Sequence, residues 1–295
     1  MPSLTRRSAL IGALLAAPAL ASVPLRAETA TAVSDPGARL ADLERRHGGR
    51  LGVTILDVAT GARTGWRQDE RFLACSTFKA LLAAHVLRRV DAGQETLDRR
   101  IPVGKADLVP WSPVAETFVG TPGMTVAQLC DAAVTMSDNA AANLLHAASG
   151  GPAALTAFVR GLGDAVSRFD RTEPALNEHD HAGDERDTVA PASMAATLHA
   201  LLFEEALSRR SRDLLRGWLV TNRTGDARLR AGFPATWLVG DKTGTNGSGT
   251  AADVAAVWPN TRPPLVVTAY YEVRGASADA RNAVLAEVGR IAATM

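Results

Sequence analysis

The chain has 295 residues, 46% of them hydrophobic and 21% charged, with a formal net charge of +1. That composition belongs to an ordinary globular protein, long enough for one large domain or two intimate ones. The near-zero charge gives no reason to expect a nucleic acid or acidic partner, and two cysteines, Cys75 and Cys130, exclude a disulfide-dense scaffold.

In chain order, Thr5-Arg6-Arg7-Ser8 leads into the apolar run Ala9 to Leu20, with small residues at Ala19-Leu20-Ala21 and up to Ala27. This is the pattern of an export signal, and the paired arginines permit a twin-arginine route. The run is too short and too interrupted by proline for a good membrane span. Residues 1–27 are therefore expected to be removed, leaving 28–295 as one catalytic unit in the periplasm or outside the cell, with no membrane partner.

Ala38 to His47 reads as a helix ended by Gly48-Gly49. Leu51 to Val58 and Arg63 to Arg67 read as a hairpin turning at Thr60-Gly61. A long helical block follows. It contains a helix from Ser76 to about Gly93, a helix capped at Thr125, and helices over Asn139 to Ala148, Pro152 to Leu162, Pro191 to Leu207 and Ser211 to Val220. Phe169 to Thr188 has little periodicity and reads as a long functional loop. Strands return at Trp237 to Gly244, Ala251 to Trp258 and Leu265 to Val273, and Ala278 to Met295 is a closing helix. No internal repeat or low-complexity linker interrupts this order. It predicts an α/β protein: a five-stranded antiparallel sheet flanked by N- and C-terminal helices, with an inserted all-helical lobe and a cleft between them. The sheet lobe is expected over about 38–75 and 221–295, and the helical lobe over about 76–220.

Chemistry is concentrated at Ser76-Thr77-Phe78-Lys79. Residues three apart share a helix face, so the spacing places the ammonium beside the hydroxyl. Free N–H groups and partial positive charge gather at the helix start. Serine is a weak nucleophile until a base takes its proton, and a desolvated lysine crowded by cations titrates low enough to be that base. Lysine and arginine total 32, yet only Lys79, Lys105 and Lys242 are lysines. Two of the three stand in motifs where a titrating amine has a use that arginine lacks.

Ser76-x-x-Lys79, Ser137-Asp138-Asn139 and Lys242-Thr243-Gly244 occur in this order, a trio shared by class A β-lactamases and penicillin-binding proteins. Arg171-Thr172-Glu173-Pro174-Ala175-Leu176-Asn177 resembles the Ω-loop of the hydrolases, closing near Asp184 to Asp187. Leu108 to Val114, with Trp111, resembles a family segment at the cleft mouth. From about Leu40 onward the sequence thus resembles a class A serine β-lactamase. The resemblance implies hydrolysis of penicillins and cephalosporins through a Ser76 acyl-enzyme, hence β-lactam resistance, in a monomer needing no metal or organic cofactor.

It also implies roles. The backbone N–H groups of Ser76 and Thr245 would hold the oxyanion. Ser137 would pass a proton to the leaving nitrogen in a field set by Lys79 and Lys242. Asn139 would bind the acyl-side amide, and Lys242, Thr243, Gly244 and Thr245 would receive the substrate carboxylate. Glu173 would activate the deacylating water held by Asn177, and either Lys79 or Glu173 would activate Ser76. Arg171 and Asp187 would close the Ω-loop as an ion pair, and Asp138 would bond nearby backbone. Arg228 would serve as the second cation on the carboxylate side, while Arg230 is left as a solvated charge.

Two family subgroups carry a cysteine bridge, one at the position of Cys130 and one at that of Cys75. Their partner positions here are Ala83 and Asn246, so both thiols are expected to be free. His179 and His181 read as exposed loop residues without a ligand cluster, and His85 and His146 as packing residues. Two other readings share the motif trio: a D-Ala-D-Ala peptidase, which would not need Glu173 and Asn177, and a sensor domain that stays acylated.

Overall fold

The computed structural model describes residues 35–295, which form one compact unit. The expected export signal lies outside the described residues. Helix α1, Pro36–His47, starts where Asp35 accepts the Ala38 N–H and carries Arg45, Arg46 and His47 in its last turn, where cations suit the helix dipole. Strands β1, Arg50–Asp57, and β2, Arg63–Trp66, form the expected hairpin, with Asp57 Oδ1 accepting the N–H groups of Ala59 and Thr60 in the turn. β2 stops one residue early because Arg67 turns into the left-handed region at φ +44°.

Strands β3, Leu238–Thr245, β4, Thr250–Trp258, and β5, Leu265–Glu272, complete a five-stranded sheet in the order β2-β1-β5-β4-β3. All neighbours are antiparallel. The first strands of the chain thus pair with the last. Alternation sorts the sheet's two faces. Leu51, Val53, Ile55, Ala255, Val257, Val267 and Ala269 pack with Leu40 and Leu43 of α1 and with Val284, Leu285, Val288 and Ile291 of the closing helix, Ala278–Ala293. Ala252, Val254, Ala256, Val266 and Tyr270 face the inserted helices.

Those helices are α2, Phe78–Asp91; α3, Val126–Thr135; α4, Asn139–Ser149; α5, Gly151–Gly161; α6, Pro191–Phe203; and α7, Arg209–Val220. Thr125 and Gln128 form a reciprocal cap on α3. α2 is buried from Phe78 to Leu87, so it is wrapped on every side and has no solvent face to advertise in its sequence. A short α8, Leu229–Gly232, and the closing helix, now α9, finish the set.

Some boundaries differ from the reading above. Ser76 is not a helical residue: it sits in a 3-10 turn, Cys75–Thr77, and α2 begins at Phe78. α6 ends at Phe203 rather than Leu207 because Glu204 is extended, and α7 begins at Arg209 because Ser208 Oγ caps the Ser211 N–H. Two ribbons were not foreseen, Phe72–Leu73 with Thr188–Val189 and Arg100–Ile101 with Met124–Thr125. Two-residue strands are too short to show a period.

Cys75 and Cys130 are free and buried. His85 stacks on Phe158 and His146 on Phe78, while His179 and His181 are exposed. Among the described residues no side-chain cluster has the make-up of a metal site, and no helix is long and apolar enough to cross a membrane.

Candidate active site

The site forms where four segments meet: the turn entering α2, the loop entering α4, the loop from Phe169 to Thr188, and the edge strand β3. Cys75 takes φ +42°, which bends the chain just before Ser76. Thr77 ties the turn closed by donating its N–H and hydroxyl to Ala74 O. β3 lies against this turn. A Cβ on Gly244 would stand 2.9 Å from Cys75 Cβ and 3.2 Å from Ser76 N, so only glycine lets the strand approach the nucleophile's backbone. Gly244, placed among the substrate-binding residues from the sequence, thus has a spacing role.

The Ser76 hydroxyl donates to Glu173 Oε1 at 3.2 Å. Lys79 Nζ stands 3.0 Å from the same oxygen, so one carboxylate oxygen joins nucleophile and lysine. The spacing had placed the Lys79 ammonium beside the hydroxyl, and the two groups meet at this shared oxygen. The amine also reaches the Ser137 carbonyl at 2.8 Å and Asn139 Oδ1. Lys79 is fully buried, and burial lowers its proton affinity below the ordinary lysine value against the pull of Glu173.

Ser137, at φ +57°, places its hydroxyl between two amines: Lys242 Nζ at 3.1 Å and Lys79 Nζ at 3.5 Å. Lys242 is fully buried on β3, and burial together with the nearby Lys79 charge pushes it well below the usual lysine range. Asp138 caps α4 at the Ala141 N–H and accepts from the N–H groups of Val114 and Ala115, a structural role as read from the sequence. This also pins the segment carrying Trp111, which is 62% exposed and bonds through its indole to Met136 O. Asn139 donates to Pro110 O, completing a tie across the cleft mouth.

Glu173 is held by three asparagine contacts. Asn177 Nδ2 donates to its Oε2, leaving Asn177 Oδ1 buried without a protein partner. Asn143, which the sequence reading passed over, donates to Glu173 O and accepts from Glu173 N, both at 2.9 Å. The only sequence signal was its place one turn after Asn139 on α4, the spacing that puts both on one face. The loop itself closes where Asp187 accepts from Arg171 Nε at 2.6 Å and from the N–H groups of Asp170 and Arg171.

On the β3 side, Arg228 donates to Gly244 O, Ala252 O and Thr245 Oγ1, and Thr243 Oγ1 lies 2.5 Å from Thr224 Oγ1. Lys242, Thr243, Thr245 and Arg228 therefore converge at one end of the strand. Arg230 is not the solvated charge expected from the sequence: it pairs with the fully buried Asp241 and half-buries its own head. Asn246 Nδ2 donates to Asn177 O and ties the β3–β4 turn to the loop.

A serine bonded to a buried carboxylate, a second serine between two low-titrating amines, and a cationic strand end define a serine acyl-transfer hydrolase. Known proteins agree. The β-lactamase enzyme family model matches residues 36–294. Beta-lactamase L2 of Stenotrophomonas maltophilia is 49% identical over 292 residues, covering 96% of this chain and 94% of that protein. Beta-lactamase CTX-M-8 of Citrobacter amalonaticus is 43% identical over 273 residues, covering 92% and 91%. The solved structure of an ancestral Gram-negative class A β-lactamase superposes with a TM-score of 0.85 at 63% identity, covering 87% of this chain and 98% of that one. A β-lactamase from Xanthomonas campestris superposes at 0.84 with 48% identity, over 87% and 95%. The chain belongs to the β-lactamase enzyme family, in its class A.

Proposed function

We propose that the protein hydrolyses penicillins and cephalosporins in two steps and so confers β-lactam resistance. In the first, Ser76 Oγ bonds to the β-lactam carbonyl carbon and its proton passes to Glu173, the partner of its hydroxyl. The backbone N–H groups of Ser76 and Thr245 receive the oxyanion. As the C–N bond breaks, Ser137 gives its proton to the ring nitrogen and takes one from Lys79, which recovers it from Glu173 and so returns the carboxylate to its ionised form for the second step. Depressed lysine proton affinities suit such exchange, because a buried amine gives up its proton more readily than an exposed one. Asn139 meets the acyl-side amide. Lys242, Thr243, Thr245 and Arg228 meet the carboxylate, and Trp111 lines the entrance.

In the second step Glu173 takes a proton from water as the water attacks the ester, and returns that proton to Ser76 Oγ as the ester C–O bond breaks. Asn177 Oδ1, buried and without a protein partner, supplies the acceptor that orients this water. The shared Glu173 oxygen, in reach of both Ser76 and Lys79, carries the reading. A peptidase or sensor reading leaves this loop carboxylate without a task. No cofactor enters either step.

Replacing Ser76 by alanine should abolish turnover. E173Q should acylate more slowly, with Lys79 left to take the Ser76 proton, and should accumulate ester, seen as an added acyl mass in intact-protein mass spectrometry. Full turnover by either variant would reject its assignment. We further propose that residues 1–27 are an export signal, so N-terminal sequencing of the cell-derived protein should begin after Ala27, and that the mature chain is monomeric by light scattering.

A further inference from the structure

Behind the carboxylate-binding end of β3 lies a buried carboxyl that the mechanism above does not use. Asp253, on β4, is fully buried and stands opposite Thr243 across the β3–β4 pair and opposite Ala269 on β5. Its Oδ2 accepts the Leu229 N–H at 3.0 Å, and its Oδ1 is buried without a protein partner. Leu229 immediately follows Arg228 and is itself fully buried at the start of α8.

Arg228 reaches the site over the top of the sheet. Its head is held by two carbonyls, Gly244 O at 2.8 Å and Ala252 O at 2.7 Å, and by Asn282 Oδ1 at 2.9 Å, before it meets Thr245 Oγ1 at 2.6 Å. Its other end depends on where the main chain stands. The segment Gly225 to Leu229 is loop and first helical turn, and the Arg228 backbone is outside the common helical and strand regions, at φ −109° and ψ −132°. A side chain of this length turns a small backbone shift into a large displacement of its head. The one side-chain acceptor on the adjoining N–H is Asp253.

We propose that Asp253 is a positioning residue for recognition of the substrate's carboxylate: by accepting the Leu229 N–H it sets the backbone from which Arg228 reaches Thr245. The inference rests on Arg228 serving as the carboxylate-side cation. The task of Asp253 is geometric, not one of charge. Burial, with Asp241 nearby, pushes its carboxyl well above the ordinary aspartate range, which favours the uncharged form. An asparagine offers the same oxygen at the same reach.

Steady-state kinetics with benzylpenicillin on D253A, D253N, R228A and the double variant D253A/R228A test this. R228A should lower kcat/KM by about thirtyfold, the loss of a charge-assisted contact to the substrate. D253A should lower it by about tenfold while kcat, read after acylation, stays within about threefold. D253N should recover to within about threefold of the parent, because the acceptor is restored without charge. In the R228A background D253A should add less than about twofold, since nothing is left to position. D253S, too short to span to the Leu229 N–H, carries the same expectation as D253A should the alanine variant fail to fold. If R228A lowers kcat/KM but D253A and D253S do not, Asp253 does not position it. A full D253A effect persisting in R228A, or a fall in kcat as large as that in kcat/KM, would mean that Asp253 acts on the fold or on another group. If R228A itself has no effect, the reading of Arg228 fails and the proposal falls with it.

Discussion

The neck of the Ω-loop offers the sharpest test of how the fold serves deacylation. Asp187 accepts three hydrogen bonds, from Arg171 Nε and from the N–H groups of Asp170 and Arg171, at 2.6, 2.8 and 3.0 Å. Side-chain exposures of 16% for Arg171 and 2% for Asp187 put the pair largely out of water. D187A removes the acceptor and leaves a buried guanidinium and two N–H groups behind. Breaking such a pair from one side costs about 3–5 kcal/mol. Asp187 also sits at φ +56°, where alanine adds about 1 kcal/mol of strain that asparagine largely avoids. Arg171 keeps Asp180 Oδ1 and the Glu178 carbonyl as partners, which recovers part of the loss, so a net destabilisation of about 3 kcal/mol is expected, or roughly 6–12 °C in Tm for a domain of this size.

The same change frees the loop that holds Glu173 against Ser76. A displacement of about 1 Å at a reacting group costs about a hundredfold in rate. Acylation is slowed less, because Lys79, on another element, can take the Ser76 proton when Glu173 is displaced, and Ser137 and Lys242 keep their places. D187A should therefore acylate with a penicillin and hold an acyl adduct at steady state, with D187N between it and the parent. Thermal denaturation followed by circular dichroism reads the first effect, and intact-protein mass during turnover the second. A D187A protein that melts within about 2 °C of the parent and shows no adduct would refute both the energetic and the catalytic reasoning.

Further outcomes follow from buried groups. His146 is buried, and burial lowers its imidazole from 6.5 to about 4. The unfolded chain therefore binds a proton below about 6.5 that the folded one refuses, so this residue's contribution is full above that pH and is lost as pH falls toward 4. At pH 5 the loss is about 2 kcal/mol, so the drop in urea stability between pH 7 and pH 5 should be smaller by that amount in H146Q. An equal drop in both proteins would exclude the assignment. A Cβ at Gly225 would stand 1.7 Å from Asp241 Oδ2, so G225A must push aside a buried carboxylate paired with Arg230. It should lose about 3 kcal/mol in the same urea assay, and a loss under about 0.5 kcal/mol would show that the segment yields freely. Cys75 and Cys130 should react with a thiol reagent only after unfolding, two per chain; a mass two daltons below the reduced value would reveal a bridge instead.

Much of this was legible in the sequence, for local reasons. Thr125 announced its helix because capping acts over three residues. The hairpin at Thr60-Gly61 and the apolar runs of β4 and β5 reflect preferences carried by each residue and its neighbours. The motifs around Ser76, Ser137, Glu173 and Lys242 mark the chemistry because few residue types can perform it. What depended on distance in space was not legible. That the Ser76 hydroxyl meets Glu173 was decided by a loop closed at Arg171 and Asp187, 97 residues separating Ser76 from its partner. Asn143 looked like any helical asparagine until α4 came to lie under Glu173, and Arg230 like any surface charge until β3 brought Asp241 beneath it. The chain's local chemistry determined which elements form and which side chains can react. Only the packing of those elements decided which reactive groups touch, because contacts between residues far apart in sequence depend on how every intervening element is stacked.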